Sequence, residues 1–159
     1  MLALQNNMSK RAEIGDIVEI ATPKGYAYAQ YTHKHPTYGA LIRVLKGIFK
    51  EKPENLLNLK TGEYQFITFF PLGAAVNRGV VNIVGNLPLP EKSKVFPVFK
   101  AGTSDLNGKV EVWWLWDGEK EWKVGKLKKE QQDLPLRGVI NDTLLIERIC
   151  NGWSHRDVA

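Results

Sequence analysis

The sequence predicts an α+β fold: a strongly bent, mostly antiparallel β-sheet with a short central helix and a C-terminal helix. Three observations predict it. Short β-prone runs recur along the chain between turn-forming Pro and Gly residues, "PLGAAVNRG" has proline where a helix begins and glycine where it ends, and "INDTLLIERICNGW" spaces its apolar residues as a capped helix does. The pattern leaves open whether the sheet closes like a barrel or stays open beneath its helices. At 159 residues, 43% hydrophobic and 25% charged, the chain fits one globular domain and is neither disordered nor fibrous. Residues 13–159 form that domain in this reading, after a flexible extension over 1–12 in which Met8 is an alternative start to Met1.

Taken in order, "GDIVEIATPKGYAYAQYTHKH" places two strands around Pro23-Lys24-Gly25 and reads as a hairpin, although period 2 in its first arm is imperfect. "YGALIRVLKGIF" supplies a third strand, with Leu41 and Ile42 inside and Arg43 at an edge or on the outer face. "KEKPENLLNLKTGE" is a connector with room for one helical turn begun by Pro53, and "YQFITFF" is a fourth strand stopped by Pro71. The short helix follows, then the strand "VVNIVG". The proline-spaced "NLPLPEKSKVFPVFKAG" reads as edge strand or loop, since each proline removes a ladder donor. In the last helix Asn141 or Asp142 is the cap and Gly152 the terminator. Ile146, Cys150 and Trp153, with Leu145 and Ile149, form its packing stripe, which makes Cys150 a buried structural thiol and Trp153 an anchor.

Four of the five tryptophans fall within "WWLWDGEKEW", residues 113–122. Asp117-Gly118 is a strong hairpin turn, and strand parity places Val110, Val112, Trp114 and Trp116 on one apolar face. With Trp122 and Val124 matched to that face across the turn, Trp114, Trp116 and Trp122 are expected in the core. Trp113 shares the other face with Glu111, Leu115 and Asp117, so it either meets a second layer, such as the C-terminal helix, or anchors a partner.

No chemical motif emerges. His33 and His35 in "THKH" share a strand face but lack a third ligand, and a solvated strand end before Pro36 explains them better than a metal site. His155 sits in what reads as a frayed tail. There is no nucleophile elbow, no phosphate-cradling glycine loop, and Glu119 and Glu121 lie among lysines at a turn where tuning of their acidity is not expected. The chain is therefore read as no enzyme and as needing no cofactor. The longest apolar run falls short of the roughly 18 residues of a membrane span, and a lone cysteine suits a reducing compartment, so the reading is cytoplasmic with no membrane partner. A net charge of +5 favours an acidic partner. One candidate partner is nucleic acid, with Tyr26, Tyr28 and Tyr31 stacking bases while lysines neutralise phosphates; the 17 acidic residues dilute that charge and rank it second.

Taken together, "GDIVEIATPKGYAYAQYTHKHPTYGALIRVLKG", "FFPLGAAVNRGVVNIVGNLPLP" and "FPVFKAG" resemble the immunity protein 26 family of bacterial polymorphic toxin systems, over about residues 13–102. The Trp hairpin and "RGVINDTLLIERI" are similar to the extended C-terminal part of some members. The resemblance implies a cytoplasmic α+β antidote that binds a cognate toxin and blocks it without catalysis, and it carries no site residue across. Interfaces centre on aromatics with charged rims, so the expected partner-binding residues are Trp113, Tyr26, Tyr28, Tyr31, Glu119 and Lys120. A basic antidote should meet an acidic toxin surface.

Overall fold

The computed structural model describes residues 11–159, so the expected extension over 1–12 lies, for residues 1–10, outside the described residues. Eight strands and three short helices follow: β1 (Asp16–Thr22), β2 (Gly25–His35), β3 (Gly39–Leu45), β4 (Tyr64–Phe69), α1 (Leu72–Asn77), β5 (Val81–Asn86), α2 (Glu91–Lys94), β6 (Phe99–Ser104), β7 (Val110–Trp116), β8 (Glu121–Gly125) and α3 (Asp142–Cys150). They make two antiparallel sheets, one ordered β4-β3-β2-β1-β5 and one ordered β6-β7-β8. The single bent sheet expected from the sequence is thus two open sheets, and no barrel closes.

The first hairpin turns on Pro23 and Lys24, with Thr22 opposite Gly25. Thr22 Oγ1 donates to the Gly25 carbonyl at 2.8 Å and accepts the Lys24 N–H at 3.1 Å. Gly25 has φ +131° and runs so close to the Phe49 carbonyl that a Cβ would collide with it. The imperfect alternation of β1 has a physical cause: Asp16 through Ile20 are all buried, because the central strands of the larger sheet are covered on both faces. On one face Val18, Ile20, Ala29, Ile42, Val44 and Phe66 pack against α1 and α3. On the other, Leu41, Ile67 and Phe69 meet Phe99 and Trp116 of the smaller sheet, and Ile17, Tyr28 and Leu45 meet Leu59.

Coverage of both faces also buries Arg43, expected at an edge or outer face. Its guanidinium donates to Thr32 Oγ1 at 3.3 Å, the Tyr64 hydroxyl at 3.2 Å and the Val95 carbonyl at 2.8 Å. The Val95 carbonyl comes from the proline-spaced segment, which contains α2 as well as extended chain. The expected turn in the connector forms as a 3-10 turn over Leu56–Asn58, capped by Asn55 rather than begun at Pro53.

The Pro135–Ile140 segment laces the two sheets together. Lys100 on β6 donates its N–H to Pro135 O at 2.8 Å and accepts from Arg137 N at 2.9 Å. Three residues on, Phe69 of β4 donates to Gly138 O at 3.3 Å and accepts from Ile140 N at 3.1 Å. One extended stretch thereby satisfies backbone groups on an edge strand of each sheet.

Asn141 caps α3, its side chain accepting the Leu144 N–H at 2.8 Å, and Gly152 ends the helix at φ +63°. The buried positions are Leu145 and Ile149, while Ile146, Cys150 and Trp153 are half-buried; the stripe is centred one residue earlier than the spacing predicts. Trp153 does anchor the chain, edge-on to Phe66 at 5.5 Å with the Arg148 guanidinium 3.9 Å from its ring. No described helix is long and apolar enough to cross a membrane.

Candidate functional surface

The Trp hairpin forms where the sequence predicts it, but its faces are assigned differently. Register pairs Trp114 with Lys123, Leu115 with Trp122 and Trp116 with Glu121. Trp122 therefore shares a face with Leu115, not with Trp114 and Trp116, and the presumed match of apolar faces across the turn does not occur. Trp116 is core, packed on Phe99 at 5.4 Å, Phe96 at 5.8 Å and Tyr38 at 5.1 Å. Trp114, two residues back along the same face, is 37% exposed, and Trp122 is 40% exposed. Both were expected inside. The larger sheet supplies cover as far as Trp116 and leaves Trp114 facing solvent.

Trp113 resolves toward a second layer. It is 3% exposed, packed with Leu115 against Leu127, Leu134, Leu136 and Val158, so the layer is the C-terminal strapping of the chain and not the helix. Beneath it runs Lys100, whose ammonium lies 5.4 Å from the Trp113 ring and donates to the carbonyls of Gln132 at 2.7 Å, His155 at 2.6 Å and Val158. Burial pushes the Lys100 ammonium down to about 8. The tail expected to fray is held in place, and His155 is buried. Its Nε2 faces the Ile67 N–H at 3.0 Å and its Nδ1 faces the Leu136 N–H at 3.0 Å. The neutral ring can accept from only one of these two donors, and protonating the second nitrogen would remove that acceptor as well, setting N–H against N–H on both sides. Burial first, then the charges of Lys100 and Arg148, push His155 down to about 3.

Tyr28 and Tyr31 are also buried, which removes them as accessible base-stacking or partner contacts in this fold. The Tyr28 hydroxyl donates to Glu19 Oε2 at 2.8 Å, and Lys52 completes the group at 3.1 Å from Glu19. Tyr26 is half-buried, with the Lys52 ammonium 5.1 Å from its ring. Glu119 and Lys120 are exposed at the hairpin tip, their backbone N–H groups held by Asp117 Oδ1 at 2.9 and 2.8 Å. Those two bonds keep the Asp117 carboxyl below its usual range. The six expected contact residues thus form no single surface: Trp113, Tyr28 and Tyr31 are buried, Tyr26 sits beside the Glu19–Lys52 pair, and Glu119 and Lys120 share the hairpin tip. His33 and His35 each reach a backbone carbonyl, Lys94 O at 3.0 Å and Gly118 O at 2.8 Å. Among the described residues no group of three His, Cys, Asp or Glu side chains is arranged to hold a metal.

What the fold does bring together is a surface centred on Trp114. With Val112, 42% exposed on the same face, it lines a groove of about 580 Å³ bordered by Thr103, Lys109, Glu121 and Arg137. Arg137 bridges to Glu121 at 2.6 Å while its guanidinium sits 5.4 Å from the buried Trp116 ring. The ion pair is therefore braced from below by core and flanks an exposed indole above. Sequence reasoning missed this surface because it assigned Trp114 to the core; the signal that could have found it is Thr103-Ser104-Asp105 on the neighbouring strand end, polar chain that offers no apolar cover. Compared with known proteins, the chain matches no family model, no curated protein and no solved structure.

Proposed function

We propose that the protein is a cytoplasmic immunity protein that binds a cognate bacterial toxin through protein contacts and neutralises it without catalysis. The quoted phrases of residues 13–102 support the family reading, and the exposed Trp114 is the observation that carries the mode of action. An indole held on a sheet, beside exposed Val112 and rimmed by Arg137, Glu121 and Lys109, has the make-up of an interface hot spot. Sheet placement fixes the ring before binding, which lowers the ordering cost of association. The rim charges steer encounter. The residues first expected to make the contact are redistributed: Trp114 takes the central role from Trp113, while Glu119 and Lys120 remain available at the tip.

The test is co-expression with the product of the gene directly upstream, which this reading expects to be the toxin. Growth should be restored by the wild-type chain and lost with Trp114→Ala, whose circular dichroism and melting should match the parent. Salt-steep, submicromolar binding to random single-stranded DNA or RNA would instead favour the nucleic-acid reading. Burial of Tyr28 and Tyr31 removes the stacking platform on which that reading stood.

A further inference from the structure

A second groove, of about 810 Å³, lies on the larger sheet between the β2–β3 turn and α1. Tyr31, Phe70 and Leu72 lie nearly buried beneath it, and its accessible apolar lining is Tyr38, Val76 and Val139. The groove is fixed, not loose: Phe70 donates to Ala40 O at 3.0 Å, and His35 Nδ1 accepts from Thr37 N at 3.1 Å and Tyr38 N at 3.3 Å, pinning the turn. Its charged lining has one sign. Arg11 and Lys34 border it, both exposed, and among the described residues no carboxylate lines it. The Trp114 groove differs, since Asp105, Glu111 and Glu121 offset its Lys109 and Arg137.

We infer that the groove between the β2–β3 turn and α1 docks an extended, acidic segment of the protein partner, placing an apolar side chain against Tyr38, Val76 and Val139 and carboxylates beside Arg11 and Lys34. Charge complementarity selects the occupant: an apolar trough with cations at its rim favours an apolar residue flanked by Asp or Glu and repels a basic one. The proposal rests on the reading of the chain as a protein binder, and it deepens that reading by assigning a second contact and the chemistry of what fills it.

Two fluorescein-labelled nonapeptides test it directly on the full chain. Both have leucine and phenylalanine at the same central positions, one with aspartates elsewhere and one with lysines. The aspartate peptide should bind at least tenfold more tightly, and the Arg11→Glu, Lys34→Glu double variant should lose that preference while melting like the parent. Filling the groove from exposed Ala74, as Ala74→Trp, should weaken the aspartate peptide without changing the charge. Equal binding of the two peptides, or a preference that survives charge reversal, would overturn the assignment. Co-expression with the toxin separates the two ideas. Protection by wild type that is undiminished in the double variant sinks the groove and leaves the immunity reading standing, whereas failure of wild type to protect sinks the immunity reading while the peptides still report on the groove.

Discussion

The Lys100 ammonium donates to the backbone carbonyl of His155 at 2.6 Å, while the His155 ring reaches across to the Ile67 N–H at 3.0 Å. A lysine on β6 of the smaller sheet and a strand of the larger one therefore grip the same residue from opposite sides, and the C-terminal turn becomes a clasp between them.

Lys100→Met should be among the more damaging single changes. It leaves the carbonyls of Gln132, His155 and Val158 without their shared donor, at about 1–3 kcal/mol for each buried group left unmet. Urea denaturation should show a loss on the order of 3 kcal/mol, with the exposed Lys46→Met as a control that changes little. Parental stability in Lys100→Met would mean that the clasp does not hold the tail.

Acid should weaken the fold through His155. Its folded value is lowered from 6.5 to about 3, so the unfolded chain takes up a proton below pH 6.5 and the folded chain does not until near 3. The contribution is whole above 6.5 and is lost as pH falls from 6.5 toward 3. His33, also lowered by burial, adds to the same limb. The urea midpoint should drop between pH 7 and pH 4.5, and His155→Gln should flatten that drop without abolishing it; a variant as acid-sensitive as the parent would refute the assignment.

The two indoles on one face of β7 should behave oppositely. Trp116→Ala removes a ring packed on Phe99, Phe96 and Tyr38 and should cost about 3–5 kcal/mol. Trp114→Ala should cost less than about 1 kcal/mol. In the parent, acrylamide should quench Trp114 and Trp122 readily and leave Trp113 and Trp116 protected. Equal stability losses from the two substitutions would contradict the register of β6, β7 and β8.

At the first hairpin, Gly25→Ala should destabilise far more than helix or strand propensity accounts for, because the residue has φ +131° and a Cβ would strike the Phe49 carbonyl. Thermal unfolding compares it with Gly73→Ala, a position with open space around it. Similar melting temperatures for the two variants would exclude the close approach of Phe49 to the turn.

Local signals in the chain were readable wherever they answered to local physics. Pro23-Lys24-Gly25, Asp117-Gly118, the Asn141 cap and the Gly152 terminator all specify backbone geometry within a few residues, and each element lies where those residues put it. Facing was not readable from parity alone. Trp114 and Trp116 share a face, yet only Trp116 is covered, because cover depends on where the other sheet ends. Lys100 is a buried cation whose partners are backbone carbonyls of distant segments, the buried Arg43 also reaches one in Val95, and a carbonyl carries no side-chain signature. The Trp114 surface stayed hidden for the same reason: it is defined by what fails to pack on it.

The clasp at His155 also sets an order of events. Every strand of the larger sheet lies within residues 16–86, but the contacts that fasten it to the C-terminal part of the chain close over long spans: Ile67 to His155 covers 88 positions, and Lys24 Nζ to the Cys150 carbonyl of α3 covers 126. A ribosome releases the first five strands well before the residues that fasten them, and closing such long loops slows the final step. During that interval the faces of Leu41, Phe69 and Tyr38 await Phe99 and Trp116, so the nascent chain presents sticky aromatic surface, and yield in the cell should depend on how quickly synthesis reaches the fastener.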